Sequence, residues 1–113
     1  MNEVDCVVKS GPSTLYGRHL VPARDCWYPP AVAAVDLLDV DFDQRSITGD
    51  GLYLVEILGE ERVDWRGCRR FCTTPHGLNI DVRGDGEWKP IDSPADYRMC
   101  IVGRVQRVYK PAN

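Results

Sequence analysis

Apolar and polar positions along this chain change over in short bursts, and no stretch sustains a helical period. LYLVEIL (52–58) is almost continuously apolar, the pattern of a strand covered on both faces. GLNIDV (77–82) alternates Leu78, Ile80 and Val82 with Asn79 and Asp81, which predicts a half-buried strand with the three apolar residues inward. MCIVGRVQRVY (99–109) is rich in valine, and its alternation falters around Gly103, predicting a strand with a bulge there. In AVAAVDLLDVDF (31–42) the alanines suit a helix, whereas the prolines before it and the VDF after it suit a strand. The expectation is a short turn and then the strand VDLLDV. After a Gly59–Glu60 turn, ERVDWRGCRRF supplies an arginine-rich strand.

Ten glycines and eight prolines punctuate these runs, and GDGL (49–52) and GDGEW (84–88) have the form of hairpin or strand-entry turns. There are no repeats and no low-complexity segments. The predicted class is therefore mainly β: a single small domain of coiled antiparallel sheets over 20–113, preceded by an N-terminal segment 1–19. A chain of 113 residues suffices for one domain and buries roughly two thirds of its unfolded surface, enough for a core without staples.

Charge narrows the function classes. The net charge is −3, which gives no global reason to bind nucleic acid or an anionic membrane. The cations are mostly arginine: the only lysines are Lys9, Lys89 and Lys110. No apolar run approaches the roughly 20 residues of a membrane span, and MNEVDCVVKSG lacks the pattern of a signal peptide. The expectation is a cytoplasmic protein. Its five cysteines, Cys6, Cys26, Cys68, Cys72 and Cys100, are accordingly expected as reduced, mostly structural thiols.

Three groups of residues offer chemistry. RDCWYPP (24–30) places Cys26 before two prolines that forbid helix. Cys26 is either a core thiol beside Trp27 and Tyr28 or a nucleophile, with His19 or His76 as its base. Cys68, Cys72 and His76 stand four apart, with Cys100 as a possible fourth ligand. The segment is not helical, and in a strand residues four apart are about 13 Å distant, so no metal site is assigned. No cofactor-binding motif is present either. WRGCRRF (65–71) gathers Arg66, Arg69 and Arg70 between two aromatics. The favoured reading is a solvated strand face packed over Trp65 and Phe71; binding of nucleic acid or of an acidic protein is the alternative.

The order of these features resembles the C-terminal domain of LexA-type repressors, the S24 peptidase-like family. The resemblance spans about residues 20 to 110 and rests on Asp-Cys-Trp-Tyr-Pro, then GDGLYLVEI, a Gly-Glu turn, an arginine-rich strand and IVGRVQRVY. It implies a β-rich fold, a nucleophile and a lysine base, self-cleavage and dimerisation. It puts Cys26 at the serine position, Trp27 at the methionine, Pro29 at the proline, and Asp64 near the position of the lysine. No lysine lies between Lys9 and Lys89, and arginine does not deprotonate. Ala-Gly and Cys-Gly, the bonds that family cleaves, are absent, and residues 1–20 hold no helix-turn-helix pattern. The expected function is non-enzymatic: self-association as a homodimer, or binding of a protein partner such as a related repressor in a phage or mobile-element circuit. The closing strand, with Arg104, Arg107 and Tyr109, is the expected open pairing edge. A cysteine hydrolase using Cys26 and an arginine-mediated nucleic-acid binder are the alternatives.

Overall fold

The computed structural model describes residues 15–24 and 26–112. The expectations that involve Cys6, Lys9 and the rest of residues 1–14 lie outside the described residues. The chain is mainly β, as its apolar pattern predicts. Among the described residues seven strands form one antiparallel sheet: β1 (Arg18–Pro22), β2 (Leu37–Asp41), β3 (Gly51–Leu58), β4 (Val63–Thr74), β5 (Gly77–Asp81), β6 (Lys89–Ile91) and β7 (Met99–Tyr109). Their spatial order is β1-β2-β7-β3-β4-β5-β6. A 3₁₀ turn, Pro94–Tyr97, precedes β7; Ser93 caps it, its hydroxyl accepting from the Ala95 N–H.

Each strand follows from its sequence. β3 is buried through its middle and pairs with β4 across the Gly59 turn, where the Gly59 N–H donates to the Arg62 carbonyl at 2.7 Å. The bulge expected near Gly103 is present: Leu54 faces Gly103 while Val55 faces Ile101, which leaves Val102 as the extra residue. Gly103 is required there, because a Cβ would stand 2.6 Å from Val40 Cγ1 and 2.9 Å from the Asp41 carbonyl oxygen. The segment 31–42 resolves as turn then strand, although β2 begins at Leu37, two residues later than VDLLDV.

Pleating sends alternate residues to two faces, and a cluster forms on each. On one face Leu38, Val40, Phe42, Leu54, Cys68, Val102 and Val105 pack beneath Ala23, Cys26, Tyr28 and Val32. The long β1–β2 connection therefore lies over this side as a lid of irregular chain. On the opposite face Tyr53, Val55, Phe71, Ile80 and Ile101 are buried together, flanked by Trp65, Leu78, Ile91 and Met99.

Two expectations fail. β7 is not an open edge: it lies third in the sheet, hydrogen-bonded to β2 on one side and β3 on the other. Its valines reflect burial on both sides of a central strand rather than a free border. The edges are β1 and β6, both short, and Pro22 and Pro90 interrupt their hydrogen-bonding potential; such edges resist pairing with another strand. The second failure is at the end of β5, where Val82 is exposed and Asp81 is buried. The alternation stops at Ile80 because the Asp81 carboxylate turns in to organise the next loop.

Candidate functional site

The CWYPP part of RDCWYPP, residues 26–30, is built into the lid. The Cys26 N–H donates to the Ala23 carbonyl at 2.9 Å. Tyr28 and Val32 exchange both backbone hydrogen bonds, at 2.8 and 2.9 Å, closing a loop around the two prolines, whose Pro29–Pro30 bond is cis. Cys26 and Tyr28 point into the core while Trp27 between them is 55% exposed. The Tyr28 hydroxyl donates to the Asp81 carbonyl at the end of β5. Beneath it the Asp81 carboxylate accepts from the Gly84 and Gly86 N–H groups at 2.8 and 2.9 Å. Gly84 has φ +76°, and a Cβ there would lie 2.5 Å from the Pro29 carbonyl oxygen. The aromatic-proline stretch thus clamps the lid onto the β5–β6 loop.

The electrostatics of this face disfavour ionised thiols. Cys68, in mid-β4, shares the core cluster with Cys26. Burial, and then the neighbouring Cys26, push the Cys68 thiol up to about 12. Burial and the Asp81 carboxylate likewise push the Tyr28 phenol up to about 12. Burial also pushes Asp81 up, but the surrounding N–H groups of Gly86, Gly84, Asp85 and Arg83 outweigh it and hold the carboxyl below its usual range. Nucleophilic thiols sit in electropositive, accessible places; this one is an apolar interior.

The other predicted groups scatter. Asp64 is exposed at the β3–β4 hairpin, where its carboxylate covers Gly59, four residues along β4 from Cys68 and so about 13 Å away along the strand. His19 stands on β1 with its ring edge-on to Phe42, and His76 occupies the β4–β5 turn, where its N–H donates to Thr74 Oγ1. Cys68 and Cys72 share β4 at the spacing too wide for one ion, and no group of three or more ligating side chains is gathered among the described residues. The expectation of five reduced thiols fails at Cys100, which is disulfide-bonded; Cys26, Cys68 and Cys72 are free of disulfides.

The arginine cluster is divided by the pleat of β4. Arg66 reaches the covered face, where its Nε and Nη2 donate to Glu56 Oε2 at 2.9 and 2.6 Å. Arg69 lies on the opposite face, its guanidinium 4.1 Å from the centroid of the Trp65 ring. Arg70 returns to the covered side and is exposed at its margin. On β7, Arg104 is held over Tyr53 at 5.4 Å, while Arg107 and Tyr109 are exposed farther along. In register across three strands, Pro22 faces Leu37 and Leu37 faces Tyr109. With Leu20, two residues along β1, they make a row on one side of the sheet, and Leu20, Leu37 and Tyr109 are 61%, 43% and 44% exposed. Arg18 and Asp39 form an ion pair at the same border.

Sequence reasoning missed the buried acids. Glu56 is fully buried inside the apolar run of β3. Its signal was available: a lone charge in a two-sided apolar strand, with Arg66 at the mirrored position across the hairpin. Asp36 is buried where the lid re-enters the sheet; its Oδ2 accepts from the Ala33 N–H at 2.8 Å and from Lys110 Nζ. Those two contacts, the backbone N–H first, hold its carboxyl below the usual range, while its Oδ1 is buried with no hydrogen-bond partner among the described residues. Nothing in the local pattern distinguishes Asp36 from Asp41, which is only partly covered, or from the exposed Asp43.

Among the described residues no helix is long and apolar enough to cross a membrane. No family model matches this chain, and neither a curated protein nor a solved structure matches it.

Proposed function

We propose that this chain is a non-catalytic domain of the S24 peptidase-like type that works by associating with protein, a second copy of itself in the first instance. In the setting the resemblance implies, the other class of partner is a related repressor in a phage or mobile-element circuit, in the cytoplasm. The observation that carries the reading is the row Pro22, Leu37 and Tyr109 with Leu20, an apolar surface left uncovered on β1, β2 and β7. Three apolar side chains meeting across adjacent strands form a patch, unlike scattered exposed leucines, and aromatic and arginine residues are favoured anchors at such surfaces. Tyr109 and Arg107 supply both. Because the two sheet edges are short and carry proline, association uses the face. The face itself is self-complementary, since the Asp39 and Asp41 carboxylates of β2 lie between Arg18 of β1 and Arg107 of β7.

The absence of chemistry in this proposal rests on where Cys26 sits. It packs against a second thiol with a raised pKa, and the residue that would replace the family's lysine, Asp64, is exposed at the hairpin. Light scattering at micromolar concentration tests association. The expected mass is that of two chains, falling to one in Leu37→Asp. A wild-type mass of one chain overturns self-association. Intact mass after incubation at pH 10 tests the chemistry, and a defined internal break would restore the peptidase reading.

A further inference from the structure

Arg69 and Arg104, like Arg45, are anchored without an ion pair among the described residues, but Arg45 stands alone, held by the Phe42 and Leu15 carbonyls beside Tyr16, whereas Arg69 and Arg104 flank one residue, Tyr53. Arg18, Arg66 and Lys110 each have a carboxylate within ion-pair distance: Asp39, Glu56 and Asp36. Arg69 and Arg104 have none among the described residues. Each is instead held by one backbone carbonyl and one aromatic ring. Arg69 Nη1 donates to the Cys68 carbonyl at 2.8 Å, and its guanidinium lies on Trp65. Arg104 Nη2 donates to the Asp50 carbonyl at 2.6 Å, with its guanidinium over Tyr53. A guanidinium carries five N–H donors, so each keeps most of its capacity unspent. Arg69 is half-buried, and its loss of solvation weakens its hold on its proton. A cation taken partly out of water without a counter-ion gains most from an arriving anion.

Their placement makes a pair of them. Arg69 and Arg104 are the two cross-strand neighbours of Tyr53, so the three residues form one line across β4, β3 and β7. Strands are about 4.8 Å apart, which puts the two arginine backbones about 10 Å from each other. That span equals about three residues of extended chain at roughly 3.3 Å each. Gly67 contributes to the construction: a Cβ there would stand 2.2 Å from the Trp65 ring, so only glycine lets Trp65 lie flat beneath Arg69.

We propose that Arg69 and Arg104 form a two-point oxyanion site for an acidic peptide segment, whose carboxylates, two or four residues apart and so on one side of an extended chain, bind one to each guanidinium. Inorganic phosphate shares the local chemistry but engages one guanidinium at a time. A nucleic acid fits poorly, because a continuous phosphate backbone needs a longer basic track than two arginines supply. The site is independent of self-association through Leu37 and Tyr109, so either proposal stands if the other fails.

The test follows Trp65 fluorescence in the full chain carrying Trp27→Phe and Trp88→Phe, two exposed positions. The probes are a glutamate-serine alternating peptide, inorganic phosphate and a single-stranded oligonucleotide of matched length. Saturable binding of the peptide is expected, weakened tenfold or more in Arg69→Gln and in Arg104→Gln and unchanged in Arg83→Gln, an exposed arginine of the β5–β6 loop. Circular dichroism checks folding, and Arg104→Gln carries the test alone if Arg69→Gln does not fold. Absence of saturation overturns the proposal. So does an equal loss in Arg83→Gln, or tighter binding of the oligonucleotide than of the peptide.

Discussion

Arg66 and Arg69 stand three residues apart on one strand and have opposite fates. Arg66 turns to the lid's side of the sheet and pairs with Glu56, a carboxylate with no exposed surface. Arg69 turns to the other face and rests on an aromatic ring with no carboxylate. The strand pleat alone separates them, since an odd spacing puts two residues on opposite faces. One arginine serves the fold and the other is left for recognition, although the sequence WRGCRRF presents them as a single cluster. The same division runs through the molecule. The lid side is closed by Cys26, Tyr28 and Val32, whereas the border of β1, β2 and β7 leaves Leu20, Leu37 and Tyr109 to solvent.

The largest expected effect breaks the comparison at Arg66. Arg66→Ala removes the charged partner of a fully buried carboxylate and is expected to cost about 3–5 kcal/mol. Arg69→Ala loses an aromatic stack and should cost no more than about 1 kcal/mol. Chemical denaturation of both variants checks the ratio, and equal costs would erase the distinction. Next in size is Gly67→Ala. Its new methyl overlaps the Trp65 ring, which must leave or strain the strand; overpacking of this kind costs about 1–3 kcal/mol. A change in Trp65 fluorescence, as the ring leaves its place under Arg69, would accompany the destabilisation.

A smaller effect follows pH. Cys68 and Tyr28 have folded pKa values raised to about 12. Their unfolded values are about 8.5 and 10, so the stability they contribute is fully present below about pH 8.5 and is lost as pH rises toward 12. Thermal scans should show melting temperature falling through this alkaline window, with a shallower fall in Cys68→Ala. Acid behaves in the reverse sense: Asp36, Asp39 and Asp81 have lowered pKa values, and what they contribute is lost as pH falls below about 4.

Much of the fold was legible because burial writes itself into apolar runs. β3, β5 and β7 were visible in this way, down to the bulge at Gly103 that the broken alternation of MCIVGRVQRVY announced. Strand order was not legible. A valine-rich strand looks the same whether its neighbours are two strands or none, so the pattern of β7 does not separate a central strand from an edge. The start of β2 was blurred because Ala33, Ala34 and Val35 serve a turn stabilised by Asp36, a contact that involves Lys110 from the far end of the chain. The candidate site was legible in its residue types and illegible in its grouping. Arg69 meets Arg104 only through the register of two strands on either side of Tyr53, and that register joins residues 35 positions apart. Of the two aromatics that follow Cys26, only Tyr28 shares its core cluster, and the β4 residue in that cluster is Cys68, while Asp64 stands apart at the hairpin.

The central claim is that the lid side is closed and the β1, β2 and β7 border is the surface that meets protein. Amide hydrogen exchange of the wild-type chain, compared between dilute and concentrated solution, tests it most directly. The account predicts added protection at high concentration in Arg18–Pro22, Leu37–Asp41 and the last turns of chain around Arg107–Tyr109, with Cys26–Val32 unchanged. Protection that does not depend on concentration, or that gathers over Cys26–Val32 instead, would contradict it.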